Sequence, residues 1–396
     1  MRKILRNKRA QSGEPVGVGI GAIIALLIGV LIFMGLATAA GLQFNFLQAF
    51  TGSPRGEFLI VAQGPYPTAY GSTNPISIVG ALGTSKPKVS EYVDPDDRVY
   101  AIAAGSFRGR GDEIAVLLSN YKIKAIPSDY VIVDDFGDQY MKDKCKISKM
   151  YAADVVGEGK EDLFIAANCA GSIALGLYRI TDINDFGSNK ANYFVPSIGL
   201  VDEGHIAFAD FDGDGKQDLA FANFYKQSGI QIIKIFYDFD KASGNFKESK
   251  EIERRSNMRI TAMVAGNFTG SKRPDLLFFT EGKELFRIKN LDVTKEPYPG
   301  AFRIADVAFE VDNNKELIYG FDITVKQSHI IPGNFKGDAK QELLVYATDD
   351  SSGKVGGEHL VMLSSLDKDT IESSDLNLAE MIGTLRVVAF TTAKLS

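Results

Sequence analysis

Past its first fifty residues the chain alternates apolar with polar or small residues in short runs, each ending at a turn rich in glycine, aspartate or asparagine. That period of two predicts half-buried β-strands. Five stretches share one template: small and apolar residues, Gly or Ala, a polar residue, usually Phe, a polar turn, an acid, then an apolar run. They read AIAAGSFRGRGDEIAVLL from Ala101, MYAADVVGEGKEDLFIA from Met150, IAFADFDGDGKQDLAFA from Ile206, TAMVAGNFTGSKRPDLLFF from Thr261 and IIPGNFKGDAKQELLVY from Ile330. Equivalent small residues are Gly105, Ala153, Ala209, Gly266 and Gly333, spaced by 48, 56, 57 and 67 residues. Such a period holds four short strands and their turns. The intervening Gly229–Phe239 alternates as a strand should, and Ser373–Ile382 is the best helical candidate after the N-terminal region.

Units that cannot bury both faces alone must stack. Many short strands at a four-strand period predict an all-β β-propeller. The two ends support closure. PRGEFLIVAQG from Pro54 reads as the second half of a repeat, and GTLRVVAFTTAKLS at the C-terminus reads as a first half. Joined, they form a composite blade with the C-terminal strand innermost, which leaves no exposed sheet edge at the seam. Five repeats and one composite predict six blades; seven is the alternative if a degenerate unit lies in the 266–333 interval. The Phe after each turn (Phe107, Phe211, Phe268, Phe335, with Val155 in the second) is expected to pack between blades.

A different pattern precedes this body. Val16–Leu42 is 27 residues without a charge, longer than the roughly 20 needed to cross a bilayer as a helix. Arg2, Lys3, Arg6, Lys8 and Arg9 lie just before it, which predicts a cytoplasmic N-terminus and an exported body. The expected organisation is a basic segment at 1–15, a transmembrane helix at 16–42, a linker at 43–56 and the propeller at 57–396. Localisation would be the cell membrane, single-pass, with the propeller outside.

Charge and composition narrow the function. The chain is 45% apolar and 24% charged, with net charge −6 despite the basic N-terminus. An acidic body gives no electrostatic footprint for nucleic acid and suits divalent cations. In FADFDGDGKQDLAFA, acids fall at Asp210, Asp212, Asp214 and Asp218. Carboxylates on alternate residues of a tight turn can converge on one calcium ion, which takes six to eight oxygens. Lys216 could add its backbone carbonyl. An EF-hand would put Glu at position twelve and a helix on each side; Phe221 stands there, inside a strand-like run. The prediction is a strand–loop–strand Ca2+ site that stiffens the fold.

That arrangement resembles the FG-GAP repeat of integrin α-chain propellers, and the other four stretches share its frame. The resemblance implies calcium bound in the loop between a blade's first two strands, by Asp210, Asp212, Asp214, the Lys216 carbonyl and Asp218. The second loop carries Asp154, Glu158 and Asp162 but Val156 at position three. A weaker metal site there stands against a metal-free turn. At Arg108 and Lys336 a basic side chain is expected in the ion's place. The RGD at Arg110–Asp112 and the sequon at Asn267 read as turn residues of the repeat. Separately, KRAQSGEP resembles the class III signal of archaeal type IV pilin-like proteins, which implies cleavage after Ala10; Glu14 falls one position early for that pattern. A plain anchor is the alternative.

Cys145 and Cys169 suit an exported protein and fit no common zinc spacing. Pairing about the 154–162 turn would bring residue 169 opposite about 147, within reach of a disulfide. His205, His329 and His359 have no catalytic motif around them, and no nucleophile elbow or phosphate loop occurs, so an enzyme is not expected. The function expected is a cell-surface module that binds a protein or glycan partner. A pilin-like subunit, with the helix packed in a filament or homo-oligomer, is the alternative; a propeller enzyme is a third.

Overall fold

Among the described residues, six antiparallel sheets follow one another along the chain. The computed structural model describes residues 57–393 apart from connecting segments, the longest being 134–144, 181–191, 307–329, 349–357 and 377–386. The expected transmembrane helix and the signal-like junction lie outside the described residues. Among the described residues no helix is long and apolar enough to cross a membrane.

The first sheet holds Val99–Gly105, Glu113–Leu118, Ile123–Ile126 and Val131–Val133. The second holds Cys145–Ala153, Asp162–Cys169, Leu175–Ile180 and Asn192–Phe194. The third holds Glu203–Ala209, Asp218–Tyr225, Ile230–Asp240 and Asn245–Ser256. The fourth holds Ile260–Gly266, Asp275–Thr280, Glu284–Ile288 and Phe302–Asp306. The fifth holds Ile330–Gly333, Glu342–Thr348, Glu358–Ser364 and Glu372–Leu376. In each, the strands pair in chain order as a meander.

The sixth sheet draws on both ends of the chain. Val387–Ala393 pairs with Phe58–Gln63, from Phe58↔Ala393 to Gln63↔Val387. Gly71–Gly80 and then Lys88–Asp94 extend the sheet outward. The C-terminal strand thus takes the place that the first strand holds elsewhere. It lies against Val99–Gly105 on one side and Ile330–Gly333 on the other.

Side-chain alternation explains how the sheets hold together. Successive residues of a strand point to opposite faces. In the third sheet, Leu219 and Phe221 face the second sheet, while Ala220 and Ala222 face the fourth. Six buried clusters result, each joining two consecutive sheets, and the last joins the composite sheet to the first. The second residue of each turn is the wedge: Phe107, Val155, Phe211, Phe268 and Phe335 are all buried, one in each of five clusters.

Two expectations change. Ser373–Leu376, the start of the candidate helix, is part of a strand, with Leu376 opposite Leu360. Serine and aspartate are weak helix formers, and the edge of the strand Glu358–Ser364 offers this backbone a full set of partners. The residue opposite Cys169 is Cys145 itself, not 147. A bulge between Ala166 and Ala167 shifts the pairing, which a count outward from the turn does not include.

Candidate metal centre and the contacts that frame it

The acidic turn joins Glu203–Ala209 to Asp218–Tyr225, two mostly buried strands that fix where it begins and ends. Gly213 and Gly215 have φ of 80° and 88°, the left-handed region that glycine adopts without strain. They let the turn curl, so that one carboxylate oxygen from each of Asp210, Asp212 and Asp218 lies within 4.8 Å of the others. Among the described residues this is the one grouping of three such side chains.

Backbone amides hold the carboxylates in place. Asp218 Oδ2 accepts from the N–H of Phe211 at 2.8 Å and of Asp212 at 3.1 Å. Asp210 accepts from the N–H of Gly213 and, at 3.1 Å, of Gly215. Asp212 Oδ1 accepts from Asp214 N–H at 2.9 Å. Each carboxylate oxygen has two lone pairs, so these bonds are compatible with a cation. Asp214 stands apart: its Oδ2 pairs with Lys216 Nζ at 2.5 Å.

Electrostatics match the geometry. Burial, then the charge of Asp212, pushes the Asp218 carboxyl up to about 8. Burial also raises Asp212. Burial acts upward on Asp214 as well, but hydrogen bonds from Lys216 outweigh it and hold that carboxyl below its usual range. Like charges crowded in a partly buried turn favour protonation unless a cation joins them. The trio therefore fits a hard divalent cation, which prefers carboxylate oxygen. Asp210, Asp212 and Asp218 would hold it.

The second turn is built differently. Asp154 accepts from the N–H groups of Gly157 at 2.7 Å, Glu158 at 3.1 Å and Gly159 at 2.7 Å. Asp162 pairs with the buried guanidinium of Arg179 at 2.5 Å, and that guanidinium lies 4.5 Å from the Phe239 ring centre. Glu158 is exposed and pairs with Lys241 at 2.5 Å. These three acids thus turn to separate partners. In the first turn Arg108 pairs with Glu113, the basic replacement expected there. The last acid of a turn has a role independent of any ion: Asp275 and Glu342 accept the N–H groups of Phe268 and Thr269, and of Phe335 and Lys336.

A repeated clamp between sheets was not foreseen from sequence. The residue before the last acid reaches the preceding sheet's turn and makes two hydrogen bonds to its first residue. Gln217 donates its N–H to the Asp154 carbonyl at 2.8 Å and accepts the Asp154 N–H on Oε1 at 2.8 Å. Glu161 does the same at Ser106, and Gln341 at Asn267. Glu57 donates to the Asn334 carbonyl at 2.7 Å, which sets the composite sheet in the same frame. In the fourth repeat Pro274 has no N–H to give; Val293 N–H bonds the Phe211 carbonyl at 3.1 Å instead. The signal was present as the polar residue of KEDL, KQDL and KQEL. The clamp also leaves no room for a side chain at two of the strand ends. A Cβ on Gly105 would lie 2.5 Å from Glu161 Oε2, and one on Gly266 would fall on the Gln341 amide oxygen. Replacing Gln217 by Ala leaves the Asp154 N–H without its acceptor. The expected loss is about 1–3 kcal/mol of stability, read from denaturant midpoints, with the slope unchanged.

No family model and no curated protein matches the sequence. Among solved structures, a similar chain is a triple arginine-to-alanine mutant of AofleA from Arthrobotrys oligospora. It is 10% identical, with 86% of this chain and 91% of that chain covered and a TM-score of 0.41. What the chain's own geometry establishes is an all-β array of small antiparallel sheets, compatible with a propeller.

Proposed function

We propose that this chain is a calcium-binding, six-bladed β-propeller of the FG-GAP type, held at the cell surface by an N-terminal membrane span, that binds a protein or glycan partner. The observation that carries the reading is the convergence of Asp210, Asp212 and Asp218 in a strand–loop–strand turn between buried sheets. Six sheets joined by six consecutive buried clusters support the blade count. The uncharged run Val16–Leu42 behind five basic residues supports the anchor. Calcium has a structural role here, because binding free energy adds to folding free energy.

Calorimetric titration of the full-length chain in detergent with calcium chloride tests the reading. One site is expected in the wild type and none in Asp212→Ala. Heat of equal size in both proteins would remove the assignment. An exported body also makes a Cys145–Cys169 disulfide the expected state of two cysteines on directly opposed backbone positions. Intact mass before and after reduction reads it as a gain of two hydrogens.

A further inference from the structure

The fourth repeat replaces the clamp with something longer. Pro274 stands where the second, third and fifth repeats put Glu161, Gln217 and Gln341, and it has no N–H to give. Residues 290–301 take over and reach further. Near their start, Leu291 N–H bonds the Pro274 carbonyl at 2.9 Å, and Val293 N–H bonds the Phe211 carbonyl of the acidic turn at 3.1 Å. At their end, Ala301 is held by Asn245–Ser256, the outermost strand of the third sheet. Its N–H goes to Glu253 Oε2 at 3.0 Å, and its carbonyl accepts from Arg255 at 2.9 Å. Between these anchors, Lys250 Nζ lies 3.6 Å from Glu296 and 5.9 Å from the Tyr298 ring centre. The segment belongs to the fourth sheet, yet it runs as a strap from the acidic turn to the far edge of the third.

Its inner end is tied closely to the turn. Phe211 stands between Asp210 and Asp212, two of the three converging carboxylates. Its side chain is fully buried in one cluster with Leu291 and Val293. Gly213 lies against Arg273: a Cβ there would fall on the guanidinium, and Arg273 Nε faces Asp292 of the strap at 3.5 Å. Movement of the backbone at 211–213 therefore displaces both a hydrogen-bond acceptor of the strap and a surface on which Arg273 rests. The middle of the strap is open to water, with 294–297, Pro299 and Gly300 all exposed. Most of what holds it down sits at its two ends, so it can open locally while the strands beneath stay paired.

We propose that closing of this strap is coupled to the acidic turn, so that a cation held by Asp210, Asp212 and Asp218 also latches the fourth sheet onto the third. The cation draws together the carboxylates on either side of Phe211, and so fixes the carbonyl and the ring against which Val293 is docked. Coupling of this kind is reciprocal: a strap released at its outer end loosens the cation. The inference rests on the calcium reading and adds a consequence to it, that the metal governs a segment beyond its own turn.

Hydrogen exchange of the full-length chain in detergent, with calcium and with chelator, read by mass spectrometry of its peptides, tests this. Peptides covering 290–301 are expected to exchange at least about fivefold more slowly in calcium. The hairpin at 241–244, in the same sheet but carrying none of the strap's anchors, should keep its rate. Asp212→Ala should abolish the difference. The double variant Glu253→Ala/Arg255→Ala changes a strand two places out from Asp218–Tyr225. It should speed exchange of 290–301 and raise the calcium dissociation constant about fivefold. Equal protection of 241–244 and 290–301, or unchanged calcium affinity in the double variant, would overturn the proposal. Calcium heat in the wild type with no change at 290–301 overturns this proposal alone, a readout that needs no variant to fold. No calcium heat in the wild type overturns the calcium reading along with it.

Discussion

Removal of residues 387–396 is expected to abolish cooperative unfolding, leaving a protein that aggregates on purification. Six backbone pairings join this strand to Phe58–Gln63. Phe390 is buried in the cluster shared with the fifth sheet, its ring 5.1 Å from Tyr346. Ala389 lies in the cluster shared with the first sheet. Truncation therefore opens two interfaces at once and exposes an apolar strand edge, a template for association with other chains. Phe390→Ala isolates the packing part and should cost about 3–5 kcal/mol, a large share of the roughly 5–15 kcal/mol typical of a folded domain. Thermal melts and size-exclusion profiles read both variants. A truncated chain that melts with the wild-type midpoint would show that the two ends do not close the fold.

The strand pairs about each repeat turn were legible because period-two alternation, a glycine-rich turn and a small residue before it recur at fixed offsets. The composite sheet was legible for the same reason: each end showed half of a known template. Clustering of acids in one turn was visible too, but which of them meet was not. Asp214 carries the same charge as its neighbours, yet Lys216 two residues on draws it aside. In the second turn the competing partners, Arg179 and Lys241, come from 17 and 83 residues away. No local pattern could give them. The clamp residues hid for another reason. Gln217 and Gln341 look like solvated turn residues until the neighbouring sheet is placed beside them, when each proves to satisfy a backbone N–H of another repeat. At Gly105 and Gly266 the absent side chain leaves room for the incoming clamp residue, which no local pattern shows.

Calcium is expected to raise the melting temperature of the wild type, and to raise it more at pH 8 than at pH 5. A cation that binds only the folded state adds about 2.7 kcal/mol at one hundred times its dissociation constant. For a domain of this size that corresponds to a shift of about 5 °C. The pH dependence comes from Asp218. Its folded-state value of about 8 lies far above the ordinary carboxyl near 3.9. With chelator present, the folded protein holds a proton across that window which the unfolded chain has lost. Its stability therefore falls as pH rises from about 4 to about 8. A bound divalent cation keeps the carboxylate ionised in the folded state and removes that slope, so the gap between calcium and chelator curves widens with pH. Asp212→Ala should close the gap at every pH. Asp214→Ala should narrow it far less, because that carboxylate is engaged by Lys216. Melting curves at pH 5, 6.5 and 8 in calcium and in chelator measure all of this. A gap that is constant with pH, or that survives in Asp212→Ala, would mean that the turn is held by its amide hydrogen bonds alone.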